Sequence, residues 1–387
     1  MARLSDGRRI SGFISFLPYS IFLSCFLFQC TFVEAQVACS GYLKSLDLVS
    51  GGKALSGNRA RLEAEWQDRE HWFDLRLMND HEFLFGPLLS SQRSSTSALI
   101  PEDELLGLTW ALNEKENSIW RHSLHRVYFT ASWGGLEGTV GRQRVAWGDG
   151  RIWNPLDVIN PYNPLSIEKE ERLGSDAILI KNYFNELSFI EAVYVPKRKF
   201  RGENSIFLGR CRANFHAIDW GIAGGKKAEE LLIGGDSAAQ ILEGSLRAEA
   251  AYIWGSSLRK DFIRAVLSYD YSFTNTLYLL GEFYYNGIGE NKKESYSKVI
   301  LKRGEQNFLG QTYFGFGSRY DVTPLWIGSC YGILNTNDSS LFLNPKIEWK
   351  ALTDLELSLS YHAFLGSNTS EFGPLQEVAF FQVQWFF

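Results

Sequence analysis

Cysteine is scarce in this chain: 5 in 387 residues, and two of these, Cys25 and Cys30, lie within the first 35. The other three, Cys39, Cys211 and Cys330, are odd in number and far apart, which excludes a disulfide framework and any cysteine-based metal spacing. Positive charge is not in excess either. The net charge is −5, so nothing points to a nucleic-acid partner. Beyond residue 35 there is no run of about 18 apolar residues, which excludes a membrane-spanning helix from the rest of the chain. Catalytic signatures are missing as well: no GxSxG, no HExxH and no Walker A. Gly315-Phe316-Gly317 lacks a third glycine and reads as noise. His122 and His125 are three apart, which in a strand puts them on opposite faces. Ser360 and His362 are two apart on one face, where a regular series of inward polar residues explains them better than a hydrolytic dyad does. No metal, no cofactor and no enzymatic activity are expected.

Aromatic side chains are what the chain has in quantity. Phe, Tyr and Trp make up 15% of it, a richness that suits strands and membrane-interface belts. At the N-terminus Arg3, Arg8 and Arg9 precede an apolar stretch from Ile10 to Phe32, and Val33 and Ala35 occupy the −3 and −1 positions of a cleavage site. The pattern predicts a signal peptide over 1–35 and a mature domain over 36–387. An uncleaved anchor is the alternative. A lipoprotein site at Gln36-Val37-Ala38-Cys39 is weaker, because Gln36 does not fit it.

Period-two alternation runs through the mature chain. Leu355, Leu357, Leu359 and Tyr361 oppose Glu356, Ser358, Ser360 and His362, and Leu246, Ala248, Ala250 and Tyr252 oppose Arg247 and Glu249. At the C-terminus Phe381, Val383, Trp385 and Phe387 share a face opposite Gln382 and Gln384. Such a face turned to water would aggregate, whereas turned to lipid it is expected. The pattern predicts an all-β fold, a transmembrane antiparallel up-and-down barrel of 14–18 strands. The segments run from 58–67, 70–78 and 106–114 to 376–387. Short turns and long loops alternate, except at 79–105, which is long on the short-turn side.

The final strand, with Phe381, Trp385 and terminal Phe387, resembles the assembly signal of Gram-negative outer-membrane barrels. That likeness implies outer-membrane lipid and the barrel-assembly machinery as partners. A second resemblance lies further in. Gly141-Arg142-Gln143, Trp147-Gly148, Asn154-Pro155-x-Asp157 and Asn160-Pro161 are similar to a signature of uncharacterised Gram-negative outer-membrane barrels, distantly porin-like or alginate-export-like. The family implies a channel-like barrel without a known substrate.

The connection over 145–176 is too long to be structureless and carries Trp147, Ile152, Trp153, Leu156 and Val158, which need burial. The barrel lumen is the nearest surface able to bury them. Folded there as a plug, it would bring Arg142, Arg144, Asp149, Arg151, Asp157, Glu170 and Arg172 into a charge network at a constriction. The inward-facing Arg59, Arg61, Arg210, Arg212, Arg247 and Arg264 are matched by carboxylates and are expected to be paired. The function expected is passage of small hydrophilic or acidic solutes. The alternative is a closed structural barrel whose loops bind polysaccharide or another partner.

Overall fold

The computed structural model describes residues 36–387 apart from 69, 71, 92–103, 162, 168–173, 198–203, 256–259 and 300–307. The predicted signal segment lies outside these residues, as do Glu170 and Arg172. Nineteen strands are formed among them. The first six are β1 (Gln36–Ser50), β2 (Lys53–Gln67), β3 (Phe73–Phe85), β4 (Thr109–Lys115), β5 (Ser118–Trp133) and β6 (Leu136–Gln143). After the long connection come β7 (Ser175–Asn185), β8 (Ser188–Val195), β9 (Ile206–Phe215), β10 (Ile218–Lys227), β11 (Glu230–Ile241) and β12 (Gly244–Trp254). The chain ends with β13 (Phe262–Ser272), β14 (Tyr278–Asn286), β15 (Thr312–Asp321), β16 (Trp326–Asn335), β17 (Ser340–Lys350), β18 (Leu355–Leu365) and β19 (Val378–Phe386).

Each wall strand pairs antiparallel with its sequence neighbours, and β19 closes on β1 from Tyr42↔Phe386 to Ser50↔Val378. Closure leaves no free edge, which is what a sheet in lipid requires. The result is an 18-stranded transmembrane barrel. The side chains are sorted accordingly. Trp220, Ile222, Ile233, Leu267, Phe283, Ile347 and Leu359 are exposed on the outer face, whereas Arg61, Asp80, Arg210, Asp236 and Glu282 are buried inside.

The strand count agrees with expectation, but its membership does not. Segment 106–114 is not a wall strand: β3 pairs with β5 along its length, and β4 only flanks the first part of β5. β1 takes its place in the wall. Its alternation is weak, because Asp47 falls on the outward face while Leu48 points inward to pack near Leu55 and Leu88. The exception at 79–105 disappears with this change. The segment 86–117 becomes one connection at the long-loop end, where the brief turns at 51–52 and 228–229 also lie, and the other end carries short turns alone. Two of those turns, at His216-Ala217 and Leu242-Glu243, hold both residues at positive φ, as type I′ hairpins demand.

Candidate functional site

Connection 144–174 leaves the top of β6 and turns into the barrel. Its departure is fixed at Gly141, where φ is +126° and an added Cβ would lie 2.3 Å from the Val127 carbonyl oxygen. Arg142 holds three chain segments together. It donates to Asp176 on β7 at 2.9 Å, to Glu104 at 2.5 Å and to the Leu106 carbonyl at 2.7 Å. Burial pushes the Glu104 carboxyl above its ordinary range despite the Arg142 charge, with Asp176 adding to the rise. Gln143 donates to the Thr139 and Ala177 carbonyls, bracing the same β6–β7 junction.

Inside the barrel the connection packs on the wall in two places. Val145, Trp147, Leu156 and Val158 join Val193, Leu208, Leu232, Ala251 and Ile253 of β8, β9, β11 and β12. Ile152 and Trp153 join Tyr284, Tyr313, Ile333 and Phe342 of β14–β17. Trp153 is fully buried and stacks on Tyr284, ring centroids 5.0 Å apart. Burying such side chains contributes about 1.5–3 kcal/mol each, and this favours the inward fold. The wall is shaped to receive them. An added Cβ on Gly315 would lie 2.4 Å from Ile152 Cδ1, and one on Gly234 would lie 2.7 Å from Leu156 Cδ2. Gly315 is therefore a seat for the inserted segment, and its glycine is required by close approach.

Two wall carboxylates satisfy the irregular backbone of the segment. Glu249 accepts the N–H groups of Asp149 at 3.0 Å and Leu156 at 2.6 Å. Glu282 accepts those of Arg151 at 2.8 Å, Ile152 at 3.0 Å and Trp153 at 2.7 Å. A buried loop must find partners for its amides, and here inward side chains replace the missing ladder. Gly148, at φ +94°, makes this approach possible, since its added Cβ would lie 2.5 Å from a Glu249 oxygen. The sequence gives Glu249 and Glu282 as inward charges but not as acceptors for a loop. The available signal is register: opposite Glu282 stand Ser268 and Gly315, and opposite Glu249 stand Asp236 and Val266, with no cation among them.

Ion pairs complete the arrangement. Arg212 on β9 binds both oxygens of Asp149 at 3.0 and 2.8 Å. Burial works to raise the Asp149 carboxyl, but the Arg212 hydrogen bonds outweigh it and hold the group below its ordinary range. Arg151 reaches Asp270 at 3.2 Å with its side chain 49% exposed, and Arg247 pairs with the same carboxylate. Arg144 is exposed and Asp157 buried. The Asn-Pro repeat is a folded turn. Asp157 N–H donates to the Asn154 carbonyl, Asp157 Oδ1 accepts from Asn160 N–H, and Ser175 Oγ donates to Asn160. Pro155 is buried and Pro161 borders a small recess beside Lys227, Glu230 and Arg264.

The opposite wall carries its own charge ladder. Arg61 binds Asp80 at 2.6 and 2.5 Å, and Arg59 and Arg121 converge on Glu82. On this side the short helix Pro87–Ser91 sets Leu88 and Leu89 against Leu55.

Among solved structures, this chain is similar to OccAB3 of Acinetobacter baumannii at 10% identity, covering 91% of this chain and 99% of that one, with a TM-score of 0.58. It is also similar to OccK7 (OpdD) of Pseudomonas aeruginosa at 8% identity, 92% and 99% coverage and a TM-score of 0.57. OccK5 (OpdH) of the same organism gives 9% identity, 91% and 98% coverage and a TM-score of 0.55. At these identities the likeness is one of fold. No protein-family model matches the chain, and no curated protein sequence matches it.

Proposed function

We propose that the chain is a porin-like channel of a Gram-negative outer membrane, passing small hydrophilic solutes through a lumen narrowed by residues 144–174. One observation carries this: a closed wall, apolar outside and charged inside, has one of its long connections, 144–174, seated on Glu249 and Glu282 of its inner face. The likeness of fold to OccAB3, OccK7 and OccK5, each over about nine tenths of this chain, supports the reading. Arg142, Arg144, Asp149, Arg151 and Asp157 then belong to the constriction, with Arg144 and Arg151 exposed and Arg142 and Asp157 buried. The motif glycines, tryptophan, asparagines and prolines set the course of its backbone. A preference for acidic solutes rests on the β1–β5 side, where Lys44, Arg59, Arg61 and Arg121 face Asp80 and Glu82. Recognition by the assembly machinery rests on Phe381, Trp385 and Phe387, all exposed on the last strand and its end.

Reconstitution in planar bilayers tests the proposal. Stepwise currents with anions favoured over cations are expected, and purified, closed barrels that give no steps would overturn it. A closed, surface-binding barrel is the second reading, favoured by the near-complete burial of Arg61, Glu249 and Glu282. Under it, no current would appear and soluble polysaccharide would bind the loops.

A further inference from the structure

The outer face is not apolar all the way round. Ser45 and Asp47 of β1, Ser56 and Asn58 of β2, His81 of β3 and His122 of β5 all point outward. Strand pairing fixes the side. Asp47 stands beside Phe381, and Phe381 beside Leu359, both exposed on the outer face. On its other flank Asp47 meets Ser56, while Ser45 meets Asn58 and His81 meets His122. The six form a polar stripe a few residues below the long-loop ends of their strands. Phe83 and Trp120 stand above its imidazoles, and Leu62, Leu75 and Leu77 lie below, so the stripe interrupts the apolar band itself. Among the described residues Asp47, Asn58 and His81 make no side-chain hydrogen bond or ion pair. The His81 and His122 rings lie together with centroids 4.6 Å apart, and Trp110 stacks on His122 at 5.3 Å. Hydrocarbon offers none of these groups a partner, and a carboxylate turned to it is destabilising, increasingly so with depth.

We propose that this stripe is the interface between two copies of the chain, with Asp47 of each bonded to His81 of the other. The face is complementary to itself: an acid lies on its β1 flank, imidazoles lie on its β3–β5 flank, and β2 runs between them. Two barrels in one membrane share one orientation, so a two-fold axis relating them runs along the membrane normal and residues meet at equal heights. An axis at β2 sets β1 of each copy against β3 of its partner. Asp47 and His81 lie at similar depths below their strand ends, and the contact is made twice. An imidazole N–H donates to a carboxylate in the neutral and in the charged form, so the pairing needs no particular protonation state. The middle of the face suits close approach, because Ser45, Ser56, Asn58 and Ala60 are small. Trp110 and His122 brace His81 from behind. The opposite wall has no such pattern in its exposed Trp220, Ile222 and Leu267, whose place is in lipid.

Cross-linking in intact outer membranes tests the proposal whether or not current flows. With Cys39, Cys211 and Cys330 replaced by serine, Asp47→Cys and His81→Cys are placed on separately tagged chains, co-expressed and oxidised. A disulfide-linked dimer carrying both tags is expected. Either chain alone should give almost none, because the two-fold axis holds like positions apart. Ile222→Cys with Leu267→Cys on the opposite wall is the control and should not cross-link. No dimer from the 47–81 pair, or an equal yield from the control pair, would overturn the proposal. A second variant is independent of cysteine chemistry. Asp47→Leu with His81→Leu makes the face more apolar and should still form the closed barrel, but in lipid nanodiscs it should have half the protein mass of wild type. A double variant that keeps the wild-type mass would also overturn the proposal.

Discussion

At the scale of single residues the barrel depends on groups whose contacts nothing else can supply. Gly141 is one, because any side chain there meets the backbone of Val127 and Tyr128. Gly141→Ala should abolish the closed barrel, seen as loss of the compact form that resists detergent denaturation until heated. Arg61 is another: it is fully buried and holds Asp80 with two bonds. Arg61→Ala leaves that buried carboxylate with Arg59, 3.9 Å away, as its remaining arginine partner, and should cost about 3 kcal/mol in denaturant unfolding. Arg151→Ala should leave stability unchanged, since its exposed ion pair is worth little, yet shift ion selectivity in bilayers if Arg151 guards the constriction. Unchanged selectivity would assign it a structural role. Asp149 supplies an acid dependence. Its carboxyl is depressed in the folded state, so its contribution is present above the ordinary value of 3.8 and is lost as pH falls through the lower folded value. Asp149→Asn should remove that part of the acid unfolding profile.

At the scale of elements, the inserted segment is a loop made rigid by its receptor. Apolar side chains fill seats in the wall, and amides that no ladder could satisfy find Glu249 and Glu282. Removing both acceptors in a Glu249→Ala, Glu282→Ala double variant should free the segment, since hydrogen bonds to charged groups contribute about 1.5–3 kcal/mol each. The measurement is single-channel conductance, which should rise and become noisier; a conductance equal to wild type would show that the segment does not narrow the path. Trp153→Ala tests the apolar half, with an expected loss of about 3–5 kcal/mol. The insertion was foreseeable because Trp147, Ile152, Trp153 and Leu156 cannot remain in water. The seats were not. Gly315 reads as an ordinary strand glycine until Ile152 is found against it.

At the scale of the whole molecule, closure is the decisive event. The ends meet where Phe387 N–H donates to the Gly41 carbonyl at 3.0 Å and Gly41 N–H donates to Phe387 O at 2.9 Å. β1 begins at Gln36, directly after the predicted cleavage site. Truncation of Phe387 removes both a closing bond pair and an outward aromatic anchor. The yield of closed barrel in cells should fall, and a yield equal to wild type would separate this residue from assembly.

The sequence by itself determined the class of architecture, because alternation of apolar and polar residues is a local property that a closed sheet in lipid must obey. It also determined that Trp147, Ile152, Trp153 and Leu156 turn inward, since apolar residues on a long connection need a surface. Which segments form the wall was decided only in three dimensions. β1 has a poor pattern and is held by β2 and β19 on either side, whereas 106–114 has a fair one and finds no second wall partner. The partners of the inserted segment were decided the same way. Glu249 and Glu282 are about 100 or more residues from the amides they accept, and only closure of the barrel brings them within hydrogen-bond reach, because alternation says which face a residue takes and not what stands opposite it across the lumen.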